Sequence, residues 1–269
     1  MIIKAPAKIN LGLHIKGKRN DGFHELESIF YSIPLFDYVE LILSEQDSFS
    51  SYNIKIPGEE NNNLCLLALR LLRDKGYNIS NYHIHLLKNI PIGAGLGGGS
   101  SDAIAVLSGV NRMDNLQIPE LRLAELAAEL GSDCPFFCVD SASLVTGRGE
   151  TITPISFSLK GKYLLLVNPG IHISSKEAYE ALDLNKTTTS KINWNLPPSD
   201  WKHTWVNDFE QALHPNHPEL QRIKNHLYVS GAFYASLSGS GSSVYGIFNE
   251  RPENYLFESL NYSEWIFNL

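Results

Sequence analysis

The segment Pro91-Ile-Gly-Ala-Gly-Leu-Gly-Gly-Gly-Ser-Ser101 constrains this chain more than any other. A strand signal, Tyr82 to Leu87, precedes it. Ala103, Ile104, Val106, Leu107 and Val110 follow at the spacing of one helix face, which predicts a helix up to Asn111. A loop with so few side chains exposes its backbone N–H groups, and the helix behind it adds the positive end of a dipole. Together they suit the cradling of phosphate. Ser100 and Ser101 have the chemistry of helix N-caps, and the same hydroxyls suit contact with a phosphate or its Mg²⁺. The plainer reading is a flexible turn before a capped helix, and three successive glycines placed directly before an apolar helix speak against it.

Two familiar phosphate loops fit poorly. Gly93-x-Gly95-x-x-Gly98 satisfies the dinucleotide pattern GxGxxG. Against it, Pro91 follows the strand at once, the loop is longer than the pattern, and Asp114 sits in a polar loop where a ribose-binding acid should end a strand. No GK[ST] closes the loop, so it is no Walker A sequence.

With 43% hydrophobic and 19% charged residues, the 269-residue chain is globular and long enough for two lobes. Its net charge of -7 argues against sequence-independent nucleic-acid binding and points to small metabolites. No apolar run reaches the ~20 residues that cross a bilayer, and the start lacks a signal-peptide layout, so a cytoplasmic protein without membrane partners is expected. Cys65, Cys134 and Cys138 form no zinc spacing and read as buried thiols. His214-Pro-Asn-His217 reads as a turn or helix start, and no structural metal is assigned.

Further strands are predicted at Ile2–Ile15, Tyr38–Leu43 and Tyr163–Val167, and a strand, turn and strand from Phe233 to Phe248 around Ser238-Gly-Ser-Gly-Ser-Ser243. Helices are predicted at Asn63–Lys75, Pro119–Leu130 and Lys176–Leu182. Residues 16–24 read as a loop, and Asn185–Asp200 as a long surface connection. A lobe boundary is placed near the Gly147–Glu150 turn, which gives lobes 1–150 and 151–269.

The glycine segment resembles the ATP-binding motif of the GHMP kinases, a superfamily that includes galactokinase, homoserine kinase and mevalonate kinase. Ala5-Pro-Ala-Lys-Ile-Asn-Leu11 is similar to the family's first motif and Ala235-Ser-Leu-Ser-Gly-Ser-Gly-Ser-Ser243 to its third, so the motifs run in order along the chain. Within the superfamily, Arg19-Asn-Asp-Gly-Phe-His24 and Gly131-Ser-Asp-Cys-Pro-Phe136 most resemble the branch that phosphorylates 4-diphosphocytidyl-2-C-methylerythritol in the non-mevalonate route to isoprenoids.

The resemblance implies an α+β fold of two lobes, the first like domain 2 of ribosomal protein S5 and the second ferredoxin-like. ATP, as its Mg²⁺ complex, is expected on Pro91, Ile92, Gly93, Ala94, Gly95, Leu96, Gly97, Gly98, Gly99, Ser100 and Ser101. The implied catalytic pair is Lys8 and Asp133. Without the resemblance, Asp133 reads equally well as a turn carboxylate, and Lys8 as an edge-strand charge that discourages aggregation. Phe23 and His24 are expected to hold the cytosine, Tyr179 to form a second aromatic wall, and Asn10, Gly239, Ser240 and Gly241 to complete the substrate site. Tyr179 also reads as a helix residue packed on a sheet, and the metal ligands stay unassigned. Lys4, Lys8, Lys16, Lys18 and Arg19 precede the first acid and suit an anionic substrate, although Lys16, Lys18 and Arg19 singly read as ordinary loop residues. A monomer or homodimer is expected. Another kinase of the superfamily and a non-catalytic nucleotide or sugar sensor on the same fold are the alternatives.

Overall fold

The computed structural model describes residues 1–139, 141–252, 257 and 262–269. They form two compact units, neither a continuous stretch. The first gathers residues 1–7, 35–92 and 97–140, and the second gathers 8–34, 93–96 and 141–269. Two long strands, β1 (Ile2–Lys18) and β2 (His24–Leu43), contribute residues to both. β1 therefore runs through Ile15 to Lys18, and the loop expected from residue 16 begins at Arg19.

In the first unit β2 leads to β3 (Ser48–Asn53), α1 (Leu64–Asp74), β4 (Tyr82–Lys88), α2 (Gly98–Met113) and α3 (Glu120–Leu130). β4 pairs antiparallel with β2, Tyr38 opposite Leu87, and parallel with β3. Alternate residues Val39, Leu41, Ile84 and Leu86 turn inward and pack with Leu69 and Leu72 of α1 and Val106 and Val110 of α2. The period-two and helical patterns meet in one core. Asn63 caps α1 by accepting the Cys65 N–H, and Gly76 follows its end at φ 83°. Pro119 and Gly131 bracket α3.

In the second unit β5 (Ser143–Gly147) pairs with the first half of β2, Leu26 opposite Gly147, and β6 (Thr151–Pro154) pairs with β5. A four-stranded antiparallel sheet follows in the order β10-β7-β9-β8 (β7 Tyr163–Asn168, β8 Tyr234–Leu237, β9 Val244–Phe248, β10 Ser263–Asn268). Its strands β8 and β9 are the predicted strand, turn and strand. The helices of this unit are α4 (Ser175–Glu180), α5 (Pro198–Thr204), α6 (Asp208–Leu213) and α7 (Pro218–Val229). His214 and His217 flank the turn between α6 and α7, as the flanking prolines suggest.

The stretch expected as a surface connection between α4 and α6 is fastened to β1. His14 lies between the carbonyls of Ser190 and Thr204, and Asp208 accepts the backbone N–H groups of Ile15 and Thr188. Trp201 and Trp205, stacked at 4.2 Å, are buried behind it.

The serine-glycine connection between β8 and β9 lies backbone to backbone against residues 93–96. Ser238 Oγ donates to the Gly95 carbonyl at 3.0 Å, and the Ser243 N–H donates to Ala94 at 3.2 Å. A Cβ at Gly95 would fall 1.8 Å from the Ser238 oxygen, and one at Gly241 would fall 2.0 Å from the Gly95 nitrogen. Because Gly241 has no positive φ, only this collision separates it from alanine. Gly241→Ala should therefore cost about 3 kcal/mol in urea unfolding. Gly161→Ala, with nothing within 4 Å but φ 78°, should cost less.

Burial also sets a pH dependence. Asp102 of α2 is buried beside Lys88 and Asp37, and its carboxyl is pushed up to about 7, first by burial. The native state thus keeps a proton that the unfolded chain releases near pH 4. Stability from this group is full below about pH 4 and lost as pH rises through about 7. Urea midpoints measured from pH 5 to 8 should fall more steeply for the wild type than for Asp102→Asn.

Candidate functional site

The glycine loop divides between the two units. Gly93 and Gly95 take positive φ values of 68° and 76° in the second, and Gly97, at 70°, stands at the N-cap of α2 in the first. Ser100 and Ser101 are therefore not the N-caps that their chemistry suggests. A left-handed glycine takes that place, and the serines fall inside the first turn of α2. No side chain caps the helix, so its leading N–H groups have no side-chain acceptor. The Ser101 hydroxyl is buried without a hydrogen-bond partner among the described residues. Uncapped amides and an orphaned hydroxyl at the start of a 16-residue helix fit a phosphate group. Gly93 approaches the His172 ring so closely that a Cβ would lie 2.4 Å from Nδ1.

In the second unit Lys8 is only 2% exposed, which removes the reading of an edge-strand charge facing solvent. Its backbone N–H donates to the Leu96 carbonyl at 3.0 Å, joining β1 to the glycine loop. Its ammonium donates to Asn10 Oδ1 at 2.6 Å and sits 4.5 Å from the centre of the Phe30 ring. Asn10 shares the strand face with Lys8, as residues two apart must. It donates in turn to Ser28 Oγ at 2.9 Å, and its carbonyl accepts the Tyr245 hydroxyl. Such a chain fixes the ammonium in one place.

Asp133 belongs to the first unit. It stands at the N-cap of the short 3-10 turn Cys134–Cys138, yet its side chain makes no capping hydrogen bond. Capping the turn is thus not what its carboxylate does. Cys134 beside it is buried and its thiol is pushed up to about 12 by burial, so it is no nucleophile.

Two of the three predicted aromatic residues of the second unit, His24 and Tyr179, come together. The His24 ring stacks on Tyr179 at 4.8 Å and 20°, and Tyr179 meets buried Phe209 edge-on at 4.9 Å. Tyr179, itself on helix α4, thus packs on Phe209 of α6 and on His24 at the start of strand β2. Burial, then Lys18, lowers the pKa of His24, so its neutral ring offers one donor and one acceptor. Phe23 is half exposed, and the Arg148 guanidinium lies 4.8 Å over its ring. Its loop is shaped by Gly22 at φ 86° and by Arg19, which pairs with Asp21 and Glu25. The Glu25 carboxylate also accepts the Gly147 N–H.

Gly239 and Gly241 serve the backbone contact with residues 93–96, and the Ser240 hydroxyl donates to Ser175 Oγ at 3.2 Å. Asn207 holds this connection from outside by donating to the carbonyls of Leu237 and Gly239, both at 2.9 Å. No sequence signal singled out Asn207, Arg148 or His172. Among the described residues no group of three or more metal-ligating side chains converges. Nor is any helix among them long and apolar enough to cross a membrane.

Comparisons with known proteins identify the family. Residues 63–141 match the family described as GHMP kinases N terminal domain, and residues 202–261 match GHMP kinases C terminal. A protein of Parabacteroides distasonis named 4-diphosphocytidyl-2-C-methyl-D-erythritol kinase is 44% identical over 97% of this chain and 96% of its own. One of Azobacteroides pseudotrichonymphae with the same name is 45% identical over 93% and 94%. The crystal structure of a 4-(cytidine 5'-diphospho)-2C-methyl-D-erythritol kinase superposes with a TM-score of 0.81 at 27% identity, covering 99% of this chain and 98% of that one. With the α+β fold, the ordered motifs and this whole-length similarity in agreement, the chain belongs to the GHMP kinases and, among them, to the 4-diphosphocytidyl-2-C-methyl-D-erythritol kinase family.

Proposed function

We propose that this enzyme transfers a phosphoryl group from ATP to the 2-hydroxyl of 4-diphosphocytidyl-2-C-methyl-D-erythritol. The observation that carries the reading is the His24–Tyr179 stack, backed by buried Phe209, with half-exposed Phe23 next to His24 in the chain. Phe23 and Tyr179 supply stacking faces, and the neutral imidazole can hydrogen-bond a base edge. An acceptor such as homoserine or mevalonate has no ring to use them. The names of relatives identical at 44% and 45% over nearly the whole chain support the same acceptor.

When bound, ATP supplies the transferable γ-phosphoryl group, carried as the Mg²⁺ complex. The chain's own part is positioning and charge, as phosphoryl transfer requires. Backbone N–H groups of residues 97–100 and the Ser101 hydroxyl would hold phosphate oxygens. Asp133 accepts the proton of the acceptor hydroxyl and keeps that oxygen in line. Lys8, fixed by Asn10, keeps a positive charge where the phosphoryl oxygens develop negative charge. Phe23, His24 and Tyr179 hold the cytosine, and Asn10 with residues 239–241 orients the rest of the acceptor. The reaction is cytoplasmic and needs no nucleic acid.

The deciding experiment is ADP release by purified protein from Mg-ATP, comparing 4-diphosphocytidyl-2-C-methyl-D-erythritol with mevalonate, homoserine and galactose. Turnover of the cytidylyl compound alone is expected, and turnover of another acceptor would discard the cytosine site. Silence with all four despite nucleotide binding would favour a sensor. Asp133→Asn should lower kcat by at least about 100-fold with nucleotide affinity retained. For Phe23→Ala, acceptor KM should rise about tenfold while KM for ATP stays put, as loss of one stacking face requires.

A further inference from the structure

One buried cluster of charges takes no part in the chemistry described. Lys88, the last residue of β4, is 3% exposed, and it lies between Asp37 of β2 and Asp102 of α2, at 0% and 2%. Its ammonium donates to both carboxylates, at 2.9 Å in the case of Asp102. Asp37 Oδ1 accepts the N–H groups of Asn89 at 2.6 Å and Ile90 at 2.8 Å, the two residues that lead into Pro91. At the other end of the loop, a Cβ on Gly98 would lie 2.8 Å from Lys88 Nζ and 2.9 Å from Ile90 Cγ2. The cluster therefore grips the chain where it enters the glycine segment and where α2 leaves it.

Burial alone would lower the Lys88 pKa, but the charges of Asp102 and Asp37 outweigh it and hold the ammonium above its usual range. The cation is permanent. Asp102 leaves its Oδ1 without a hydrogen-bond partner among the described residues, so the cluster is not arranged for the tightest possible ion pairing. Three buried charges are rarely the most stable filling of a core, since packed apolar side chains serve as well. Their position suggests another use. Through Asp37 the ammonium fixes the backbone entering the glycine segment, and by its own contact at Gly98 it fixes the start of α2.

We propose that Lys88 is a positioning residue for the nucleotide phosphates: clamped by Asp37 and Asp102, it sets the backbone at both ends of the glycine loop and so aims the first amides of α2. It acts through the backbone and touches no substrate. The proposal rests on the reading of residues 91–101 as the ATP loop.

The test compares Lys88→Gln/Asp102→Asn with Asp102→Asn alone. The double variant keeps polar side chains at both positions, leaves Asp37 its two backbone donors and removes only the cation. Relative to Asp102→Asn, its KM for Mg-ATP should rise about tenfold, equivalent to ~1.4 kcal/mol, with KM for 4-diphosphocytidyl-2-C-methyl-D-erythritol unchanged. Equal KM values for Mg-ATP in the two variants, or a parallel rise for both substrates, would overturn the proposal. Should the double variant lose cooperative unfolding, Lys88→Met/Asp37→Asn/Asp102→Asn, compared with Asp37→Asn/Asp102→Asn, removes the ammonium without leaving a carboxylate unpaired. The same selective rise is then expected, and its absence is equally decisive. A wild-type protein that binds no Mg-ATP in calorimetric titration sinks the loop reading itself. Wild-type binding with indifferent variants sinks only the role of Lys88.

Discussion

The second unit is organised around a contact that side chains would prevent. Residues 93–96 and 238–243 meet through their backbones, with Gly95 and Gly241 facing each other at distances that leave no room for a Cβ. The Lys8 N–H reaches the Leu96 carbonyl next to this contact, so β1 is registered against it. Asn207 fixes the far side by holding two carbonyls of the same connection. Lys8, Asn10 and Ser28 then form a chain of hydrogen bonds whose origin is set by backbone alone. Glycine costs conformational entropy on folding, and here the cost secures a close approach that no other residue permits.

The aromatic group is held differently. Its outermost member, Phe23, is half exposed, and the ion pairs of Arg19 beside it are partly exposed as well. Pairs of that kind contribute little to stability. What fixes the loop is the turn at Gly22, the Phe23 N–H donated to Asp21 and the Arg19 N–H donated to the Phe23 carbonyl. Tyr179 gains its orientation from buried Phe209, which lies on a separate helix. A rigid inner wall and a lightly held outer one suit the proposed cytosine site, which would have to admit a flat ring before gripping it.

Local grammar made much of this legible in the sequence. The Gly131 cap and the alternation of β4 appear where the residues demand them, and Asn63 and Pro119, expected as first helical residues, stand one step earlier as N-caps. The same grammar misassigned Ser100 and Ser101, because a serine before an apolar helix is an ordinary cap. Only the left-handed turn at Gly97 reveals that the helix has already begun. Strands β3, β5 and β6 are short or polar and gain their identity from neighbours far along the chain. Asn207 and Asp37 were invisible for a related reason. Each is an ordinary polar residue whose role consists of backbone groups distant in sequence.

Of the basic run at the start of the chain, Lys8 is buried, whereas three other members are engaged by neighbouring groups. Lys16 is engaged by Glu27 and by carbonyls of the 188–190 segment, Arg19 by Asp21 and Glu25, and Lys4 lies over Phe36. Within an acidic chain these charges leave little positive surface to attract an anion. Among the described residues the lysines kept from solvent are Lys8 and Lys88, one in each unit; Lys88 is neutralised by its carboxylates, which leaves Lys8 and the uncapped amides that open α2 as interior positive charge. Surface charge is screened within about 8 Å at physiological salt, whereas buried charge and fixed dipoles act on a bound group almost undiminished. An enzyme that handles two polyanionic substrates on an acidic scaffold therefore gains more from a few interior cations than from a basic exterior. The same interior placement demands the hydrogen-bonded carboxamide of Asn10 around one lysine and the paired carboxylates around the other.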